Sequence, residues 1–455
     1  MRILAITAGA ANMYCGSCLR DNALAAEMMR LGHDVTLVPI YTPTRTDEPN
    51  VSRDEILYGG INVYLQQVVP LFRKTPRFVD RIFDSRWVMN IATRFSVSTD
   101  PQNLGELTVS TLRGEAGNQR KEVARLVEWF RSQPAADVVV LPNSMMLGLA
   151  KPLASALECP IVCTLQGEDL FLDGLPGNYR EQALGLIREH AGDVDGFVAI
   201  SQYYAEFMAD LLDVAREKIS VVPLGVGVDG LASKTNYVPS RPLRVGYLAR
   251  IAPEKGLHNL CAAVRELSSS TTEAGPHATT PTSGTMPRLS LEVAGYLPPE
   301  HRAYLERLKS EAEADRIPFR YHGELPREEK AEFLRSLDIF SVPCDYREPK
   351  GLFLLEAMAC GVPVVQPDHG SFPEILRQTG GGLLVKADSV PALAEGIQRF
   401  ATDDDLRERT GRAGAASVRA EWTSTQMAER ALSAYQSIAS SAAVRSRSTR
   451  AGELV

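Results

Sequence analysis

The chain has 455 residues, 23% charged and 44% hydrophobic, with a formal net charge of −7. It is long enough for two or more domains with apolar cores, and the composition excludes wholesale disorder, collagen and disulfide-stapled miniature scaffolds. The acidic balance argues against a nucleic-acid partner, which would need clustered Lys and Arg, and no apolar run approaches the roughly 18–20 residues that span a bilayer.

Arg2–Thr7 predicts a first strand. A loop holding Gly9 and Gly16, an amphipathic helix from about Leu19, Gly32 and a strand over Asp34–Pro39 follow it. This strand–loop–helix–strand unit opens a βαβ fold, so Met1–Ala11 is read as structure and not as a cleavable leader. Cys15 and Cys18 form a C-x-x-C pair within that unit. A zinc site wants a second such pair, which is missing; a redox role is open because helix starts lower thiol pKa; two small residues packing around a tight loop is the reading favoured. Seven scattered cysteines, an odd number, suit reduced thiols in a cytoplasm.

In Phe72–Phe95, Val79, Phe83, Trp87, Ile91 and Phe95 recur every four residues beside an Arg73, Arg77, Arg81 stripe. The charge of this segment, six basic less two acidic residues, is +4. A core-packing aromatic stripe is favoured over a basic amphipathic helix at an anionic membrane or a charged acceptor. Short β-rich runs then alternate with amphipathic helices: Asp137–Leu141, Pro160–Leu165, Gly196–Ile200, Leu243–Leu248, Leu291–Ala294, Ile339–Pro343 and Val362–Gln366. Such alternation predicts an α/β protein of two doubly wound, Rossmann-like domains facing across an interdomain cleft, with ligands at the carboxyl ends of the strands.

The domain boundary is placed in the polar, non-periodic stretch Leu231–Arg241, giving an N-terminal domain over 1–235 and a C-terminal domain over 236–418. Ser268–Pro287 holds ten Ser or Thr and five Gly or Pro, which predicts a mobile insertion. Trp422, Met427, Ala431, Leu432 and Tyr435 predict a last amphipathic helix over 419–439, packing back toward the N-terminal domain. The small, polar, basic stretch 440–455 reads as a disordered tail.

A G-x-G-x-x-G run at Gly225–Gly230 is rejected as a dinucleotide site, because no helical period follows and residues 245–253 hold no Asp or Glu. The strongest constellation is Arg347–Val365. Leu352–Cys360 is a helix bounded by Gly351 and Gly361, so Glu348 lies in the loop before it and Glu356 within it. Free N–H groups near Gly351–Phe353 suit a phosphate, and a carboxylate at Glu356 can accept hydrogen bonds from two ribose hydroxyls. The second constellation is Arg250–Gly256. It puts Arg250 and Lys255 just past the strand Leu243–Leu248, where two cations would neutralise a departing diphosphate.

R-x-A-P-E-K-G followed about 90 residues later by E-x-x-G-L-x-L-L-E-A-M-A-C-G-V-P-V-V resembles the retaining glycosyltransferases of family 4, which have the GT-B fold. The similarity spans nearly the whole chain and is strongest over Arg241–Gly382. It implies a hexosyltransferase-like enzyme that moves a sugar from a nucleoside-diphosphate sugar to a glycan, lipid-linked or small-molecule hydroxyl. By this resemblance Glu356 holds the ribose, and Glu348 lies near the donor sugar and its anomeric carbon. Arg250 and Lys255 hold the diphosphate, and the amides of Gly351, Leu352 and Phe353 contact phosphate or sugar hydroxyls. His322–Leu325 meets the nucleobase, with Leu325 counted among the donor contacts, and Gly16 lets donor and acceptor approach. The resemblance implies no metal and no further cofactor, because Arg and Lys take the place of a metal at the leaving group. The histidines show no metal-ligand spacing.

The chain departs from the family pattern in three places. Gln166 stands where the family often has His, so it can orient a hydroxyl but cannot act as acid or base. Lys350 replaces an aromatic, and Gly370-Ser371-Phe372 replaces paired glycines. Two alternatives stay open: a nucleotide-sugar epimerase of the same fold, and a non-catalytic sugar-nucleotide binder. The expected location is cytoplasmic, with peripheral contact at the inner membrane face through 72–95 as its variant.

Overall fold

The computed structural model describes residues 1–9, 15–53, 56–59, 63–64, 66–67, 104–271 and 286–452. The segment 72–95 and most of the stretch 268–287 therefore lie outside the described residues, and Ser268–Thr271 complete the helix Leu257–Thr271. The chain divides into two compact units, one formed by Met1–Pro223 with Thr425–Val455 and the other by Leu224–Ser424.

Among the described residues the first unit is built on seven strands: β1 Arg2–Thr7, β2 Asp34–Tyr41, β3 Leu57–Gly59, β4 Val138–Leu141, β5 Ile161–Leu165, β6 Gly196–Ala199 and β7 Ile219–Val221. All pair in parallel, in the order β3-β2-β1-β4-β5-β6-β7, with Ile3 opposite both Val35 and Val138. Every residue of β4, β5 and β6 is buried, as parallel strands covered on both faces require. The helix Ser424–Gly452 completes this unit, burying Met427, Ala431, Leu432 and Tyr435. A disordered tail from Ser440 is not what the structure shows, since the helix runs on to Gly452. The stretch mixes Ser with the helix formers Ala and Arg and has no Pro or Gly before Gly452, so nothing local stops the helix.

The second unit contains β8 Leu243–Leu248, β9 Leu289–Ala294, β10 Phe319–Tyr321, β11 Ile339–Phe340, β12 Val364–Pro367 and β13 Gly382–Val385. They form a parallel sheet in the order β10-β9-β8-β11-β12-β13, with Val245 opposite both Leu291 and Ile339. The winding reverses between β8 and β11, and a crevice beyond the carboxyl ends of those two strands is where such sheets bind ligands.

The predicted strands match these within a few residues. The division between units falls at Pro223/Leu224, earlier than the polar stretch chosen from sequence. The reason is that this stretch packs on the second unit: Lys234 N–H donates to Cys360 O at 2.9 Å and Arg419 donates to Leu231 O. The rejected glycine run serves as a backbone crossing, with Val226 N–H on Trp422 O at 2.9 Å and Ser424 N–H on Val226 O at 3.0 Å. Among the described residues no helix is long and apolar enough to cross a membrane.

Candidate functional site

Beyond β8 the chain makes a single 3-10 turn, Pro253–Lys255, that ends at Gly256 with φ of 72°. A Cβ on Gly256 would lie 1.7 Å from Pro343 O, so only glycine lets this turn press against the backbone that follows β11. That approach brings Lys255 to Glu348: Lys255 Nζ lies 2.5 Å from Glu348 Oε2 and 2.6 Å from the Tyr346 hydroxyl. The Tyr346 hydroxyl also donates to Glu348 Oε2, and Lys350 N–H donates to Oε1 at 3.1 Å. The loop after β12 fixes the Glu348 main chain, as Ser371 N–H and Oγ both donate to Glu348 O, at 2.9 and 3.0 Å.

Only 3% of the Glu348 side chain is exposed. Burial alone would push its pKa up, but the Lys255 charge and the hydrogen bonds from Lys255 and Tyr346 outweigh it and hold the carboxyl at about 2. Burial pulls Lys255 down, and the Glu348 charge more than restores it, leaving the ammonium above its usual range. Burial, then the Glu348 charge, pushes Tyr346 well above the usual phenol range. At neutral pH the trio is therefore an ammonium, a carboxylate and a neutral phenol.

Arg250 pairs with Glu254 in the 3-10 turn, four residues on, and its side chain is 43% exposed. Gly351 caps the helix Leu352–Ala359 from the left-handed region, and its carbonyl accepts from Leu354 N–H at 3.0 Å. The N–H groups of Leu352 and Phe353 have no acceptor within the helix and mark its positive end. The Phe353 ring packs 6.3 Å from Phe340 and 6.1 Å from Phe372, and Lys255 Nζ stands 5.8 Å from its centre.

Glu356 points to another partner: its Oε1 receives Lys330 Nζ at 2.6 Å, both side chains being mostly buried. Lys330 lies on the helix Arg327–Ser336, and half-buried Leu325 lies in the loop between β10 and that helix. The structure thus gathers Lys255, Glu348 and Phe353 at the end of β8 and β11, and gives Glu356 and Arg250 acidic–basic partners of their own.

Gly16 and Gln166 belong to the first unit. Gly16 is the first residue of the helix Gly16–Arg30, which starts three residues before the expected Leu19. Gln166 is buried, its Nε2 donating to Pro142 O at 2.8 Å and lying 3.4 Å from Asp21 Oδ1. Its N–H donates to Glu168 Oε2 at 2.8 Å. Glu168 is a hub, with Oε1 accepting from Ser144 N–H and Oγ at 3.1 and 2.9 Å and Oε2 from the Tyr204 hydroxyl at 3.2 Å.

Tyr346, Lys330, Ser371 and Glu168 were missed from sequence. Tyr346 sits in the irregular loop after β11, where no period marks which residues face Glu348. Among the described residues no group of three or more His, Cys, Asp or Glu could hold a metal ion.

A doubly wound sheet with a charged pair and a helix N-terminus at its switch point is the arrangement in which α/β proteins commonly hold anionic ligands. The family follows from two models: residues 22–225 match the glycosyl transferase 4-like domain and residues 232–417 match glycosyl transferases group 1. Together they span most of the chain, which belongs to these family 4-type glycosyltransferases.

The phosphatidyl-myo-inositol mannosyltransferase of Mycobacterium leprae is 29% identical over 261 residues, 56% of this chain and 63% of that protein. The D-inositol 3-phosphate glycosyltransferase of Stackebrandtia nassauensis is 31% identical over 254 residues, 53% of this chain and 54% of that protein. The matches thus span less than two thirds of either relative. The crystal structure of Anabaena HepE with UDP and glucose superposes with a TM-score of 0.63 at 16% identity, covering 96% of this chain and 100% of that one. At that identity the likeness concerns the fold, which is GT-B.

Proposed function

We propose that this chain is a retaining glycosyltransferase that moves a hexosyl group from a nucleoside-diphosphate sugar to a hydroxyl acceptor. The observation that carries the reading is the Lys255–Glu348–Tyr346 cluster beside the free N–H groups of Leu352 and Phe353 at the switch point. A carboxyl held at about 2 has no proton to give at neutral pH. Glu348 therefore acts as a fixed anion, accepting from a donor hydroxyl and opposing positive charge at the anomeric carbon. Lys255, charged at any working pH, and Arg250 receive the diphosphate as its bond to the sugar lengthens. The acceptor hydroxyl attacks from the face the diphosphate leaves, and a departing phosphate oxygen takes the hydroxyl proton, so configuration is retained. The charge at the leaving group is met by side chains, with no cofactor assigned. Trapping of a glycosyl adduct on a protein side chain in single turnover would overturn this front-face course.

Glu356, one turn into the helix, is the ribose acceptor in this reading, and Lys330 fixes one of its oxygens. Both relatives bear inositol in the names of their acceptors, so phosphatidylinositol and inositol phosphate are the first acceptors to test. The donor class is tested by thermal unfolding with UDP, GDP, ADP and CDP, on wild type and on Glu356→Ala. A nucleotide at about 100 times its Kd adds about 2.7 kcal/mol to the folded state. A shift with one nucleotide, lost in the variant, supports the site; flat responses from a folded protein refute it.

A further inference from the structure

Cys15 is the N-cap of the helix Gly16–Arg30, and it makes no side-chain capping hydrogen bond there. Ser, Thr, Asp or Asn at an N-cap stabilises a helix more than a residue that cannot cap, so local stability does not explain a thiol at this position. Cys15 is half-buried and therefore open to solvent, whereas Cys18, three residues on, is fully buried. Side chains three apart in a helix stand about 5–6 Å apart at Cβ, and a disulfide needs roughly 3.5–4.5 Å, so a small shift of the first turn joins them. A hydrogen bond with Cys15, then burial, raises the Cys18 thiol far above the usual thiol range. Both remaining ingredients of a reactive dithiol are present: a helix N-terminus beside the outer sulfur, and a shielded partner to resolve a mixed disulfide. A metal site is not built here, since among the described residues no third ligand joins the pair.

We propose that Cys15 and Cys18 are a redox-active dithiol that exchanges with low-molecular-weight disulfides. The Cys15 thiolate attacks one sulfur of the small disulfide, forming a mixed disulfide and releasing one thiolate. The Cys18 sulfur, giving up its proton, then attacks Cys15 Sγ, forms the Cys15–Cys18 bond and expels the second thiolate. Both released thiolates end as thiols, so the protein dithiol is oxidised by two electrons and the small disulfide is reduced by two. A thiol of the same class reverses the reaction. This exchange is independent of sugar transfer, and its test does not read that activity.

The test incubates the full chain in reduced and oxidised glutathione at graded ratios, quenches with acid, alkylates and reads tryptic peptides by mass spectrometry. Cys15 and Cys18 fall together in the peptide Ile3–Arg20. The expected result is that this peptide loses two hydrogens and escapes alkylation reversibly, at least roughly tenfold faster than any of the other five cysteines is modified. Cys18→Ser retains glutathione on Cys15, whereas Cys15→Ser leaves Cys18 unmodified because its sulfur is buried. An Ile3–Arg20 peptide that stays fully alkylatable in excess oxidised glutathione overturns the proposal. So does equal glutathione capture by the two single variants.

Discussion

Removing the Glu348 charge tests the reading of the buried pair most directly. A carboxyl brought from its ordinary 4.5 to about 2 is stabilised in the fold by roughly 3 kcal/mol, at about 1.4 kcal/mol per tenfold change. The sign follows from proton binding. Between those pH values the unfolded chain holds the proton and the folded chain does not, so stability is full above about 4.5 and is lost as pH falls toward about 2. Of that total, about 2 kcal/mol disappears between pH 7 and pH 3. Glu348→Gln cannot lose it, having no proton to bind. At pH 7 the variant is less stable than wild type by roughly 3–5 kcal/mol, because Lys255 is left buried without its counter-charge. At pH 3 that gap narrows by about 2 kcal/mol. The assay is urea unfolding by circular dichroism at the two pH values, fitted with two transitions because the chain has two units. Lys255→Met should narrow the gap in the same way, and the double variant should cost less than the sum of the two singles by roughly 2 kcal/mol. A gap equal at pH 7 and pH 3 would refute the ion pair as the cause of the low carboxyl pKa.

Three further outcomes follow from the geometry. Gly256→Ala drives a Cβ into Pro343 O at 1.7 Å and strains a φ of 72°, so it should cost roughly 2–4 kcal/mol and weaken nucleotide binding; Gly177→Ala, with φ of 58° and open space, should cost about 1 kcal/mol in the same thermal scan. Lys330→Met strips Glu356 of its partner and should weaken the stabilising nucleotide roughly tenfold by calorimetry, with partial recovery in Lys330→Arg; equal affinity in all three proteins would remove Lys330 from the site. Glu168→Ala leaves the Ser144 and Gln166 donors unmet inside the first unit, while the Tyr204 hydroxyl keeps Asp169 Oδ1 at 2.9 Å, and should cost roughly 3 kcal/mol by denaturant unfolding, a loss under about 1 kcal/mol being inconsistent with its role as a hub.

Much of the architecture was legible because its signals are local. Leu243–Leu248 was found to the residue, since an apolar run between turn residues needs no tertiary knowledge. The helix at Leu352–Ala359 was bounded by glycines on either side, and that placed Glu348 in a loop and Glu356 on a helix. The pairings were not legible. Lys255 and Glu348 are 93 residues apart and meet only because β8 and β11 lie side by side in parallel. Lys330 comes from a helix whose sequence reads as an ordinary charged surface, yet it is buried on Glu356. Gln166 looked like a change at a catalytic position, and nothing local revealed that its amide nitrogen is spent on Pro142 O and Asp21 while its oxygen is buried without a partner.

Two main-chain approaches do the assembling that the charged residues display. Gly256 lets the Lys255 turn close on the backbone after β11, and Gly370, at φ of 61°, leaves 2.6 Å between a would-be Cβ and Glu348 O. With either glycine replaced, the backbone carrying one member of the pair would have to retreat. The Glu348 carboxylate is then held by an ammonium, a phenol and an amide, and its main chain by Ser371. An anion fixed in this way needs no reorganisation when positive charge appears beside it, which is where such a group is worth most to a reaction. The glycine in R-x-A-P-E-K-G and the one before Ser371 are therefore as much a part of the site as the charges they position.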